Sequence, residues 1–137
     1  MKTSRLMHVF LVLAGTTLVA NTGLVFAQDM PDEEPVRCLS LKRIKDTEIV
    51  GNSYILFRMV DGKNYVNVLN HACPGLARNK TIMYRTSIGQ LCDLDFITVL
   101  DDIGFGFMPG ASCGLGEFRP IDKEGIEDLK KAMKDSG

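Results

Sequence analysis

The chain changes its hydrophobic period several times, and each change predicts an element. From Cys38 the apolar Leu39 and Leu41 alternate with Ser40 and Lys42, the two-residue period of a strand. The register then slips through Ile44 to Ile49 and Val50. One long bent strand, or two short ones with a bulge near Lys42-Arg43, accounts for the slip. Gly51-Asn52 is a turn signal. Tyr54 to Val60 and Tyr65 to Leu69 are β-rich runs around Asp61-Gly62, a two-residue hairpin signal because both turn positions must tolerate positive φ. That turn pairs Val60 with Lys63 and sets Phe57 opposite Val66 and Ile55 opposite Val68. It predicts a core face of Ile55, Phe57, Val66 and Val68, with Leu56 and Asn67 on the other side and Leu56 only partly covered.

Further on, Thr81 to Thr86 and Asp95 to Leu100 predict two more strands, and Cys113 to Ile121 the last one. Asp101 to Ala111 is Gly-rich and predicts a loop. The period then becomes helical. Asp122 is placed as an N-cap, and Ile126, Leu129 and Met133 fall on one face. Glu124, Glu127 and Asp128 come early and Lys130, Lys131 and Lys134 late, an order that suits the helix dipole. Gly125 weakens the first turn and predicts a short helix that is stable only when docked. The expectation is a mainly β domain, a small barrel or sandwich of about six short strands, with a short C-terminal helix.

The N-terminus changes the picture by setting the compartment. Lys2 and Arg5 precede an apolar run from Leu6 to Phe26, and Val25-Phe26-Ala27 leads into the polar Gln28-Asp29. This is the three-part pattern of a secretory signal peptide, with cleavage expected after Ala27. An uncleaved anchor is the alternative, since Leu6 to Ala27 is long enough to span a bilayer. The predicted organisation is a signal peptide over 1–27, a flexible acidic linker over 28–37, a β domain over 38–121, and a helix and tail over 122–137. After cleavage no membrane span is expected, and the location is periplasmic or secreted.

Charge excludes one class of partner. Of the 16 Lys and Arg residues, Lys2 and Arg5 fall in the leader, so 14 face all 17 Asp and Glu residues in the mature chain, a net charge of −3. Nucleic-acid binders carry a basic face, so no nucleic-acid partner is expected. The cluster Lys42-Arg43-Lys45 is read as a solvated strand, and Asn79-Lys80-Thr81 fits a glycosylation acceptor where a host modifies such sites.

Four cysteines in a short exported chain point to two disulfides. Three connectivities are open. The order of Cys38, Cys73, Cys92 and Cys113 favours Cys73–Cys92, closing a local loop, and Cys38–Cys113, tying first strand to last.

Oxidation also bears on candidate chemistry. His71 and Cys73 could form a base and nucleophile, but a catalytic thiol must be a free thiolate. His71, Cys73, Cys92 and Asp93 can be written as a metal set, yet zinc sites use tight ligand pairs and no two cysteines here lie closer than nineteen positions. No metal, no cofactor and no catalytic residue is assigned. Asp93, Asp95, Asp101 and Asp102 flank a strand and could serve acid–base chemistry, although acidic residues at strand ends are more often turn formers. The principal surface candidate is Phe105, Phe107 and Met108, aromatic and apolar groups in a Gly-rich loop that either grip a partner or fold back over the core.

Cys38 leading a strand, Ile55-Leu56-Phe57, Cys73-Pro74-Gly75-Leu76, Leu91-Cys92 before Asp95, and Gly110-Ala111-Ser112-Cys113 together resemble a family of small exported bacterial proteins catalogued only as a domain of unknown function. The likeness covers about Cys38 to Ile121. It implies a periplasmic or secreted location and carries no known activity. The expected function is a non-enzymatic β-domain that binds a protein or envelope component; the alternative is a small exported enzyme using the strand-end aspartates.

Overall fold

The computed structural model describes residues 33–86 and 88–136. The expected signal peptide and the first part of the expected linker lie outside the described residues.

The described chain is mainly β, with nine strands and one helix: β1 (Cys38–Ser40), β2 (Ile44–Ile49), β3 (Tyr54–Met59), β4 (Asn64–Val68), β5 (Thr81–Tyr84), β6 (Gln90–Cys92), β7 (Phe96–Asp102), β8 (Phe107–Gly114), β9 (Phe118–Pro120) and α1 (Lys123–Asp135). They form a two-stranded sheet β1-β6, a four-stranded sheet β2-β3-β4-β9 and a three-stranded sheet β5-β7-β8. Every pairing is antiparallel. The strands do not close into a barrel.

Several differences from expectation have local causes. Of the two readings of the slip after Leu41 the structure has the two short strands, but a single 3-10 turn, Leu41–Arg43, parts them and the register shift comes later, between Ile44 and Asp46. The Gly-rich stretch is a hairpin, because β7 runs on to Asp102 and β8 begins at Phe107. The last expected strand is two, parted at Leu115–Glu117, where the chain leaves one sheet for another. The strand β6 escaped notice because three residues are too few to show a period. At the end of the expected linker, Val36 exchanges two backbone hydrogen bonds with Phe118, and Arg37 meets Asp93 at 3.0 Å, so these residues belong to the domain.

The β3–β4 turn differs by one residue, with large effect. Met59 N–H donates to Lys63 O, and Gly62 N–H to Met59 O, enclosing a three-residue loop, Val60-Asp61-Gly62. Gly62 takes φ +86°, the left-handed position such a loop requires. Phe57 therefore faces Tyr65, Ile55 faces Asn67, and Leu56 faces Val66. A one-residue slip exchanges the faces of a whole strand. Tyr65 and Asn67 turn inward, and Val66 and Val68 move to the side expected to be half open.

That side is not open. The helix α1 begins at its predicted cap, where Asp122 accepts from Gly125 N–H at 2.8 Å. It runs for 13 residues, and its Ile126, Leu129 and Met133 pack with Val50, Tyr54 and Leu56. Leu56 is 0% exposed. The sheet is thus covered on both faces. Its other face joins the main core, where Ile55, Phe57 and Phe118 meet Leu39, Leu91, Ile97, Val99 and Leu115. The Phe57 and Phe118 rings stand edge to face with centroids 5.4 Å apart, the geometry their quadrupoles favour.

Two disulfides staple the domain, and their pairing corrects the expected one. Cys38 is bonded to Cys92 and Cys73 to Cys113. Cys38 and Cys92 stand directly opposite in the β1–β6 ladder. Cys113 sits opposite Ile97, a core position, and is bonded there to Cys73, itself buried. Strand pairing decides the connectivity; nearness in sequence misleads when the deciding strand is β6. The loops span 54 and 40 residues, and the chain-entropy account gives each about 4 kcal/mol.

Candidate binding surface

The β7–β8 hairpin carries the principal candidate. Beyond Asp102 the chain turns through Ile103 to Gly106. Ile103 N–H donates to Gly106 O at 3.0 Å, and the Asp102 carboxylate accepts from Gly104 N–H at 2.8 Å. Lower in the hairpin, the Thr98 and Ser112 hydroxyls share a 2.8 Å hydrogen bond, and Lys80 on the neighbouring turn pairs with Asp101 at 2.6 Å. The tip is therefore built on bonded backbone and tied at its base.

Its apolar side chains do not fold back. Phe105 is 91% exposed, Phe107 58% and Met108 54%. Ile103, not singled out in the sequence, is also exposed beside them. No charged residue lies between Asp102 and Glu117. Singly exposed apolar residues are ordinary, but four within six positions form a patch of the kind that marks contact surfaces.

A second region gathers the residues considered for chemistry. A depression of about 450 Å³ is lined by His71, Asp93 and Asp95, with the exposed Leu94 and Phe96 and the Cys113 end of a disulfide. His71 and Asp93 were grouped in the sequence only as a possible metal set; what completes the depression is the pairing of β7 back on β8, which brings residues 112–115 beside residues 93–96.

Their polar atoms are already engaged. Asp93 pairs with Arg37 at 3.0 Å, and this contact raises the Arg37 guanidinium pKa, chiefly through the hydrogen bond. Asp95 accepts from Cys92 N–H at 2.7 Å and closes the turn between β6 and β7. Asp101 is held by Lys80, and Asp102 by the turn at Gly104. All four aspartates thus serve as turn and strand clips. Cys73 and Cys92 are both in disulfides, so neither offers a thiolate to His71 or to a metal. Among the described residues no cluster of three or more His, Cys, Asp or Glu is arranged to hold a metal ion.

The main ionic network lies on the helix-covered face of the four-stranded sheet. Glu48 on β2 accepts from Arg58 at 2.6 Å and from Lys130 of α1 at 2.9 Å, and Arg58 also reaches Asp46 at 3.0 Å. Partial burial pushes the Glu48 carboxyl up, but the bonds from Lys130 and Arg58 together outweigh it and hold it below its ordinary value. The Arg58 guanidinium is raised in turn, first by its bond to Glu48. This network fastens the helix to the sheet.

Two disulfides are consistent with an oxidising, extracytoplasmic setting. No helix among the described residues is long and apolar enough to cross a membrane. No family model matches the chain, and neither a curated protein nor a solved structure matches it.

Proposed function

We propose that this chain is an exported, non-enzymatic binding domain, periplasmic or secreted, as its resemblance to the exported four-cysteine proteins implies. It holds a protein or envelope component against the β7–β8 tip. The observation that carries this reading is the exposed set Ile103, Phe105, Phe107 and Met108 on a hairpin whose base is fixed by hydrogen bonds. A rigid apolar projection binds with little ordering cost, which favours it as an anchor. The engagement of Asp93, Asp95, Asp101 and Asp102 in structural bonds supports binding over acid–base catalysis.

The test is site-specific photo-crosslinking from position 105 in the intact exporting cell, compared with the same crosslinker at exposed Val60. A discrete product from position 105 that disappears with Phe107→Ser is expected. Equal crosslinking from both positions would remove the tip from the account.

A further inference from the structure

We infer that the gap between β2 and β5 accepts an extended peptide carrying a carboxylate, which adds as a strand to both edges. This is a second binding site, independent of the hairpin tip.

β2 is the outer strand of the four-stranded sheet and β5 the outer strand of the three-stranded one. Both line a single cleft of about 370 Å³, within the size range of ligand clefts. Alternation in an antiparallel ladder shows which backbone groups face that cleft. Val50 N–H donates to Tyr54 O, so Val50 and Glu48 point toward β3, and Thr47 and Ile49 point away. On the other side, Leu115 N–H donates to Asp95 O, so Asp95 and Ile97 point toward β8, and Thr98 and Leu100 toward β5. Their partners Met83 and Thr81 point back at β7, which leaves Ile82 and Tyr84 facing out.

Thr47, Ile49, Ile82 and Tyr84 thus present four N–H and four C=O groups to one cleft. None of these groups has a hydrogen-bond partner among the described residues. Unpaired edges are what strand addition uses, with main-chain bonds supplying affinity. Here two edges border the same space, and one inserted strand would satisfy both.

The floor and the charge define the occupant. Ile49, Ile82 and Tyr84 pack into the main core from this cleft and form an apolar floor for alternate side chains. Of the charged residues around it, Glu48 is neutralised by Arg58 and Lys130, and Lys80 by Asp101. Arg78 has only a 3.4 Å bond to Val50 O and no carboxylate partner among the described residues. It leaves the cleft with a positive charge, which selects a peptide with an acidic side chain there.

The experiment uses the full disulfide-bonded chain and a phage-displayed library of random linear heptapeptides. Selected peptides are synthesised, and amide hydrogen exchange of the protein is followed by NMR. Peptide is expected to slow exchange at Thr47, Ile49, Ile82 and Tyr84 by tenfold or more, with Glu48, Thr81 and Met83 unaffected because their amides already face a neighbouring strand. Selected sequences are expected to be acidic, N-methylation at alternate peptide amides to abolish binding, and Arg78→Ala to weaken it about tenfold. Failure to enrich any peptide over an unrelated bait overturns the inference. So does protection confined to the β7–β8 tip, or binding that survives N-methylation.

Discussion

Asn67 and Gly116 hydrogen-bond to each other in both directions. The Asn67 side-chain amide donates to Gly116 O at 2.6 Å, and its carbonyl accepts from Gly116 N–H at 3.0 Å. Asn67 is 0% exposed and the one buried polar residue among the described residues. It does with a side chain what a strand does with its backbone, where the chain crosses between sheets and has no ladder. Asn70 repeats the device on Leu115 O at 3.0 Å. Gly116 is required by contact, since a Cβ there would collide with the Val68 carbonyl oxygen.

Asn67→Leu should therefore be costly although it adds apolar bulk to the core. It leaves a buried donor and a buried acceptor unpaired, each worth about 1–3 kcal/mol. A loss of about 3 kcal/mol in urea unfolding is expected. Gly116→Ala should cost a comparable amount by displacing backbone. A neutral Asn67→Leu would mean that the Gly116 amide reaches water.

The crossed disulfides give a direct chemical prediction. A non-reducing peptide map of the oxidised chain should contain a Cys38–Cys92 fragment and a Cys73–Cys113 fragment. Removing either pair as a double Ser variant should lower stability by about 4 kcal/mol or less, because native adjustment offsets part of the entropic term. A Cys73–Cys92 peptide would refute the arrangement of β1 against β6.

Acid should loosen the helix through Glu48. Its folded pKa is depressed, so its contribution is fully present above the ordinary glutamate value of about 4.3 and fades as pH falls through the lower folded value. Glu48→Gln should cost about 1 kcal/mol or less at pH 7, given the exposure of the network. Urea melts of the two proteins should converge as pH drops below about 4. A gap that stays constant with pH would assign the effect to packing instead.

The helix itself is testable at its two ends of importance. Leu56→Ala should cost about 2–5 kcal/mol, the range for emptying a fully buried leucine site. Asp122→Ala should cost about 1 kcal/mol through loss of the cap. Thermal unfolding resolves both, and a Leu56→Ala loss under 1 kcal/mol would mean that α1 leaves that face uncovered.

The tip prediction complements these because it expects no stability change. Phe105→Ser with Phe107→Ser should leave the melting temperature within about 2 °C, as surface substitutions do, while Phe107→Ser alone should abolish the crosslink from position 105. A large fall in melting temperature would make these rings part of the core.

What was legible in the chain followed its local pattern. The strands around residues 54–60, 65–69 and 95–100 could be read as β-rich runs beside turn signals, and the helix with its Asp122 cap from apolar residues three to four apart. The register of β4 could not. Val66 and Val68 look like a core face, but both faces of that sheet are covered, so alternation carries no choice. Asn67 is inside because Gly116, 49 residues away, supplies its partner. The same holds for the cysteines, whose pairing waits on a three-residue strand, and for Thr47, Ile49, Ile82 and Tyr84, whose only distinction is what their backbone lacks. Phe105, Phe107 and Met108 were visible as types; their exposure depended on how far β7 and β8 extend.

The order Cys38, Cys73, Cys92, Cys113 interleaves the two bonds, so each cysteine's correct partner lies beyond an incorrect one. A polypeptide delivered across a membrane N-terminus first presents Cys38 and Cys73 together, a couple that must not join. In a chain exported in that way, oxidation in order of emergence would join the wrong couple, and thiol–disulfide exchange would be needed to undo it. Once made, the interlocked topology means that one cut anywhere between residues 38 and 113 releases no fragment until the sulfurs are reduced.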